Sequence, residues 1–404
     1  MSALEAVTFG CRLNIVETAE MVRLAGASGV ADATLVNTCA VTAGATRQSK
    51  QAVRRALRER LDASIIVTGC AASIEAQAFA ALGDRVSLLP NSAKTDARAW
   101  AALAGPGLAP ATVSAPVRAH TRGFVAVQTG CDHRCTFCVI PLGRGPSRST
   151  PAATIIERVR ELAAGGVSDV TLTGVDLTAW GADLPDAPRL GDLVRAILRG
   201  VPDLPRLRLS SLDCIEADDA LLRAVAEEER LMPHLHLSLQ AGDDLVLKRM
   251  KWRHGRRDAV RFCDALRRAR PGMVFGADLI AGFPTESAEQ FGRTLSLAEE
   301  CGLTHLHVFS YSARPDTPAA RMPQVPGPVV AERAARLRAE GERRLSLHLD
   351  AQVGARLDVL VERGAVGRAR DFTPVRVPPL LEPGAFAEVD VAGHHDGRLV
   401  AQGA

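Results

Sequence analysis

The chain has 404 residues, 47% hydrophobic but only 4% aromatic, so it is long enough for roughly two or three domains with cores of Ala, Val and Leu. A formal net charge of +3 selects no partner by itself, and any nucleic-acid surface must come from local clustering. Met1 to Gly10 lack a basic start followed by an apolar run, and no apolar stretch approaches ~18 residues, so neither a secretory leader nor a membrane span is expected.

A cytoplasmic location follows as the expectation, and there nine cysteines read as metal ligands or buried thiols, not disulfides. Short β-type runs at Ala6–Phe9, Thr34–Asn37, Ser64–Thr68 and Val86–Leu89 alternate with helical runs such as Ile15–Ala25 and Thr46–Leu61. This is the α/β pattern of a parallel sheet. Residues 103–116, rich in Gly, Pro and Ala, read as a linker.

Beyond Gly123 the alternation restarts with longer spacing. Strands are expected at Val125–Gln128, Asp169–Thr173, Arg206–Ser210, His234–Leu239, Val274–Ile280 and His305–Phe309, with helices such as Ala152–Ala164 and Ser287–Cys301 between them. Six β/α units are fewer than a closed eight-fold barrel needs, so an open, partial barrel is expected. A Pro-rich stretch, Met322–Pro328, precedes an Arg-rich helix, Val329–Leu349. Past residue 353, short alternating runs (Arg356–Glu362, Thr373–Val377, Ala387–Val391) between glycine turns predict a small all-β barrel.

The chemistry is concentrated in the cysteines. Cys131, Cys135 and Cys138 form a CxxxCxxC run directly after the first barrel strand and Gly130. Three thiolates on one loop can hold three irons of a four-iron cluster, leaving the fourth iron open. Its natural occupant is the amino and carboxylate chelate of S-adenosylmethionine. The competing reading is zinc, but the paired CxxC spacing is missing and His133 sits inside the loop, where tetrahedral closure is awkward. Cys11, Cys39 and Cys70 each close a predicted strand of the first region. Strand carboxyl ends in an open α/β sheet share one edge, where ligands bind. The three can therefore converge on a second cluster; the alternative is three buried small hydrophobes. Cys263 and Cys301 read as helix-packing thiols, and Cys214 has no assigned role.

The CxxxCxxC run at the first strand of a β/α barrel resembles the radical S-adenosylmethionine superfamily. That resemblance implies a 5′-deoxyadenosyl radical formed by one-electron cleavage of the cofactor. It also implies cofactor contacts at Phe137, Gly174 and Asp176, Ser238 and Gln240, and Asp278 within Ala277–Glu286. Over nearly the whole chain the sequence resembles the methylthiotransferases. The motifs are TFGCRLN, VNTCAVT, Ile140–Ser149, Ser238–Met250 and His307–Ala320. The departure at Leu142, where the family often has an aromatic, carries no expected consequence.

The resemblance implies α/β architecture in three parts. These are a parallel-sheet cluster domain at 1–115, a partial (β/α)6 radical SAM barrel at 116–349, and a small β-barrel TRAM domain at 350–404. It implies two [4Fe-4S] clusters, and TFGCRLN, VNTCAVT and LTGVDLTAWG point to the branch acting on N6-threonylcarbamoyladenosine of tRNA. One S-adenosylmethionine would methylate a sulfur on the N-terminal cluster, and a second would yield the radical that takes the C2 hydrogen. Other branches, on isopentenyl-adenosine or a ribosomal-protein aspartate, stay open, as does a non-catalytic RNA-binding protein with a structural metal. tRNA and a flavodoxin- or ferredoxin-type electron donor are the expected partners; the sulfur donor is not specified.

Candidate phosphate contacts are Arg47, Lys50, Arg54 and Arg58 on one helix face, Lys248, Arg249, Lys251, Arg253, Arg256 and Arg257 after the fourth barrel strand, and Arg144 and Arg148. The tail from Gly354 has six Arg against seven Asp plus Glu, so it would have to bind RNA by placement of its arginines, not by net charge.

Overall fold

The computed structural model describes residues 4–104 and 121–404. Only the first two residues of the expected linker fall among these, ending the helix Ala97–Ala104. The rest of it, with the domain boundary drawn at 115, lies outside the described residues. The chain forms two compact units, and the loop Thr129–Arg148 and the segment Ser312–Pro318 belong to the N-terminal one.

In that unit the strands Glu5–Thr8, Ala33–Thr38, Ser64–Gly69 and Val86–Leu88 form one sheet in chain order, every neighbouring pair parallel. All six residues of Ala33–Thr38 are buried, as expected of a parallel strand covered on both faces. Leu35 and Ile66 face Met21, Leu24, Ala25 and Trp100. Val36, Ile65 and Val67 face the other way, towards Val53, Ala56 and Phe79. The helix Ala43–Glu59 starts three residues before the expected Thr46 because Thr42 caps it, accepting from the Ala45 amide at 3.1 Å.

The second unit holds six parallel barrel strands: Arg122–Ala126, Asp169–Thr173, Arg206–Leu209, His234–Gln240, Val274–Ala281 and Leu303–Ser310. They hydrogen-bond as two sheets. The third strand breaks at Ser210, and Ser211–Leu212 carries the chain into the second sheet. The barrel is therefore partial, with an edge strand on each side. Alternation sorts its faces: Leu235, Leu237 and Leu239 lie in the apolar core under the helices, while His234, His236, Ser238 and Gln240 occupy the other face.

The tail closes a five-stranded barrel in the order Arg356–Glu362, Val366–Ala369, Pro374–Arg376, Arg398–Ala401, Phe386–His395. Valines 359, 361, 375, 377, 389 and 391 fill it. The helix Gly327–Asp350 joins the two barrels, with Ala334 and Leu337 in the core of the larger and Leu349 in that of the smaller. Two buried arginines of the third barrel strand strengthen the junction. Arg206 donates to the carbonyls of Arg368 (2.8 Å) and Asp358 (3.0 Å), and Arg208 to those of Arg370 (2.9 Å) and Ala369 (3.2 Å). No helix among the described residues is long and apolar enough to cross a membrane.

Candidate functional site

Three adjacent parallel strands deliver three cysteines to one edge of the N-terminal sheet. Cys11 follows Glu5–Thr8 and precedes the helix Arg12–Ala27; Cys39 follows Ala33–Thr38; Cys70 follows Ser64–Gly69. Strands about 4.8 Å apart set side chains at their ends at a separation suited to neighbouring irons of one cluster. Cys39 and Cys70 are buried and Cys11 is exposed. Gly69, at φ +95, shows how tightly the turn is drawn. A Cβ there would come within 2.4 Å of the Thr38 carbonyl oxygen, so only glycine fits. Gly10 sits equally close over Cys39, where a Cβ would lie 2.8 Å from its Sγ.

Asn14 binds two of these loops together. Its buried Nδ2 donates to the carbonyls of Phe9 (2.7 Å) and Thr38 (3.2 Å), one ahead of Cys11 and the other ahead of Cys39. Thr38 Oγ1 donates to the Thr68 carbonyl at 2.7 Å and accepts from the Ala72 amide at 3.0 Å, which ties the Cys39 loop to the Cys70 turn. Burial pushes the Cys39 thiol up, and Cys70 and Cys11 push the same way while the Val41 amide and Arg144 pull it down. The donor set is all sulfur, which suits iron–sulfur chemistry and not a hard cation.

The CxxxCxxC loop lies in the same unit. Its base is closed by the Cys131 amide donating to the Gly145 carbonyl at 3.1 Å, and its tip by the Cys138 amide donating to Cys135 at 3.2 Å. The Ile140 amide donates to Cys138 Sγ at 3.4 Å. Burial pushes the Cys138 thiol up to about 11; the Ile140 amide opposes the shift, and Cys131 and Cys70 add to it. Cys70 is a near neighbour because the helix Ile140–Arg144 packs on it: a Cβ on Gly143 would lie 3.1 Å from Cys70 Cα. Val139, beside Cys138, shares an apolar cluster with Cys70 and Val36. The two cysteine trios are thus held on one framework. Phe137 is half-buried in this loop.

Arg144, expected as a phosphate contact, is instead buried inside the unit. It donates to Glu17 Oε1 (2.8 Å) and Oε2 (3.0 Å), to Asn14 Oδ1 (2.6 Å) and to Thr129 Oγ1 (3.0 Å). Buried Lys94 pairs with the same carboxylate at 2.5 Å. Burial alone would raise the Glu17 carboxyl, but the Arg144 hydrogen bond and the Lys94 charge outweigh it and hold it low. Sequence reading missed Glu17, Lys94 and Asn14, because contacts 127 and 130 residues apart leave no local pattern.

In the barrel unit, Gly174 and Asp176 form the turn after the second strand. The Gln128 side chain orders it, accepting from the amides of Val175 (3.0 Å) and Asp176 (2.9 Å). Ser238 and Gln240 end the fourth strand, where the register shifts and Gln240 takes φ +64. A non-glycine residue in that region carries strain of a kind concentrated at functional sites. Asp278 meets two histidines that sequence reading did not single out, His236 at 3.0 Å and His307 at 3.4 Å. Burial would raise its carboxyl, yet these partners hold it down at about 2. The His-x-His spacing on two strands was the available signal, since alternate strand residues share a face.

Cys263 and Cys301 are buried in the apolar core, as expected of packing thiols. Cys214 is buried beside Asp213 and His254, and burial pushes its thiol up. Among the basic residues, Arg47, Arg54, Arg58, Arg148, Lys248, Lys251 and Arg257 are exposed. Lys50 pairs with Glu75 at 2.7 Å. Arg253 pairs with Asp213 and Glu216, and Arg256 bonds the carbonyls of Gly242 and Arg293 and the Glu300 carboxylate. Those two are structural braces, a correction to their reading as phosphate contacts.

A model of the radical SAM superfamily matches residues 125–298, and one described as uncharacterized protein family UPF0004 matches residues 4–89. Fold and sulfur-rich loop together define a radical S-adenosylmethionine enzyme. The chain is 42% identical to the threonylcarbamoyladenosine tRNA methylthiotransferase MtaB of Rickettsia prowazekii, covering 98% of this chain and 96% of that one. It is 35% identical to a tRNA-2-methylthio-N(6)-dimethylallyladenosine synthase of Sorangium cellulosum, covering 90% of this chain and 82% of that one. The chain belongs to the radical S-adenosylmethionine methylthiotransferase family. The radical methyltransferase TsrM of Kitasatospora setae superposes with a TM-score of 0.55 at 16% identity, covering 76% of this chain and 67% of that one, a likeness of fold alone.

Proposed function

We propose that the protein adds a methylthio group at C2 of N6-threonylcarbamoyladenosine beside the anticodon of tRNA. Its cofactors are two [4Fe-4S] clusters and S-adenosylmethionine. Cys131, Cys135 and Cys138 would hold the radical-generating cluster, and Cys11, Cys39 and Cys70 the second. When bound, these groups supply a 5′-deoxyadenosyl radical, strong enough for an aromatic C–H bond that no side-chain acid or base opens at neutral pH, and the sulfur that is transferred. The protein's part is placement. Gln128 holds the Gly174–Asp176 turn for the cofactor's methionine end; Ser238 and Gln240 serve the ribose; Phe137 and Asp278 serve the adenine. The raised thiols of Cys39 and Cys138 must lose protons on loading, so assembly releases acid.

Three domains are proposed: 1–115 for the second cluster, 116–349 for the radical barrel and 350–404 for RNA. A flavodoxin- or ferredoxin-type protein would supply electrons, in the cytoplasm. Three thiols at three neighbouring strand ends, one of which, Cys70, packs against the segment that follows the CxxxCxxC loop, support the reading most. The higher identity to the threonylcarbamoyladenosine relative, 42% against 35%, favours that base over the dimethylallyl one. The test is nucleoside analysis of tRNA from a deletion strain. Loss of the methylthio group from threonylcarbamoyladenosine is expected; its loss only from the dimethylallyl base would move the substrate to the other branch.

A further inference from the structure

One side chain reaches every loop that carries a candidate cluster cysteine, directly or through one neighbour. Arg144 binds Thr129, two residues ahead of Cys131, at 3.0 Å. It binds Asn14 at 2.6 Å, and Asn14 in turn holds the backbone ahead of Cys11 and of Cys39. It ends the short helix that begins two residues after Cys138, and its neighbour Gly143 packs on Cys70. Asn91 Nδ2 donates to the Gly143 carbonyl at 2.7 Å and holds that contact from the far side.

The guanidinium has little freedom. Its two Nη atoms grip the two oxygens of Glu17 in a parallel fork, a geometry that Lys cannot reproduce. Lys94 secures the same carboxylate. The side chains of Arg144 and Lys94 are 3% and 2% exposed. Buried ionic groups of this kind add little net stability compared with apolar packing, and their best-attested use is to fix register.

We infer that Arg144 is a positioning residue: locked by Glu17, Asn14 and Thr129, it sets the separation of the two cysteine trios, and with it the fraction of cofactor cleavage that ends in methylthio transfer. This rests on the ligand assignment proposed above. A group only needed for folding would, when altered, lower iron content, cofactor cleavage and transfer together. A positioning group changes the ratio of transfer to cleavage while both clusters load.

The test uses the full chain, reconstituted anaerobically, with Arg144→Lys and Gly143→Ala as variants. Iron per chain, the electron paramagnetic spectrum of the reduced protein, and methylthiolated tRNA per 5′-deoxyadenosine are measured. For Arg144→Lys the expected result is full iron, a changed magnetic interaction between the clusters, and a product ratio lowered about tenfold, since sub-ångström misplacement is costly when groups must meet. Gly143→Ala presses a methyl on Cys70 but leaves the charges alone, and about a threefold fall is expected. A wild-type ratio and spectrum in fully loaded Arg144→Lys overturns the inference. If that variant fails to load, Gly143→Ala decides, and a wild-type ratio there overturns it. Full iron in Cys11→Ala, Cys39→Ala and Cys70→Ala together would instead remove the ligand assignment, whatever Arg144 does.

Discussion

The two cysteine trios proposed to hold clusters are assembled by opposite routes. Cys131, Cys135 and Cys138 lie within eight residues, and their loop is closed by its own backbone hydrogen bonds. Cys11, Cys39 and Cys70 are spread over sixty residues and meet only because three parallel strands end together. A local loop carries its site wherever it is placed, whereas a dispersed site exists only once the sheet exists. The first trio should therefore respond mainly to loss of ligands, and the second also to changes in the sheet.

The largest effects are expected at the proposed ligands. Alanine at Cys131, Cys135 or Cys138 is expected to abolish 5′-deoxyadenosine formation and lower iron from about eight to about four per chain; normal cleavage in any of them would undo the radical assignment. Alanine at Cys11, Cys39 or Cys70 should also remove about four irons but leave cofactor cleavage running, with no methylthiolated tRNA by nucleoside analysis.

The strand ends set the two trios further apart. Gly69→Ala drives a Cβ to 2.4 Å from the Thr38 oxygen at φ +95. It should lower the melting temperature and empty the second cluster while sparing the first. Gly166→Ala, at φ +87 with nothing within 4 Å, bears only the backbone penalty of ~1–3 kcal/mol and should keep both clusters. Equal iron in the two variants would break the distinction.

Smaller effects concern RNA and acid. Binding of tRNA should fall on the order of a hundredfold between low and moderate salt. Arg54→Glu, on the exposed helix face, should flatten the log–log slope by about one or two units. An unchanged slope, measured by filter binding, would remove that face from the RNA surface. Asp371 in the tail is held at about 2, where the His348 hydrogen bond and the Thr373 amide outweigh burial. A carboxyl depressed in the folded state stabilises it above its unfolded value near 3.8 and stops doing so as pH falls towards 2. Asp371→Asn should therefore flatten acid unfolding between those values, by on the order of 2 kcal/mol.

Local features of the chain are the ones its sequence displays. The expected strands Ser64–Thr68 and Val86–Leu89 differ by one residue from the observed Ser64–Gly69 and Val86–Leu88, because apolar runs between glycines and helices are local signals. The open six-strand barrel and a small β barrel in the tail were likewise readable from alternation, while the tail strands Val366–Ala369 and Arg398–Ala401 were not singled out. The break at Ser210 was not, since it depends on a change of partner sheet. The sequence presents Arg144 and Arg253 as candidate phosphate contacts because it shows charge without its partner; Glu17 and Asp213 supply those partners from distant segments. Asp278 carries a motif of its own, whereas the His-x-His pairs that hold His236 and His307 acquire meaning only from the strand order that flanks Asp278 with them.

The junction between the two barrels has a consequence in time. Arg206 and Arg208 emerge from the ribosome more than 150 residues before the carbonyls of Asp358, Ala369 and Arg370 that receive them. Until those arrive, Arg206 and the Nη atoms of Arg208 have only water as acceptors, while Arg208 Nε is already held by Asp169 at 2.8 Å. The nascent radical barrel therefore stays incompletely sealed until translation reaches the last fifty residues. A chain cut short after Leu349 is an unfinished barrel as well as an enzyme without its tail, and quality-control proteases would meet it in that form.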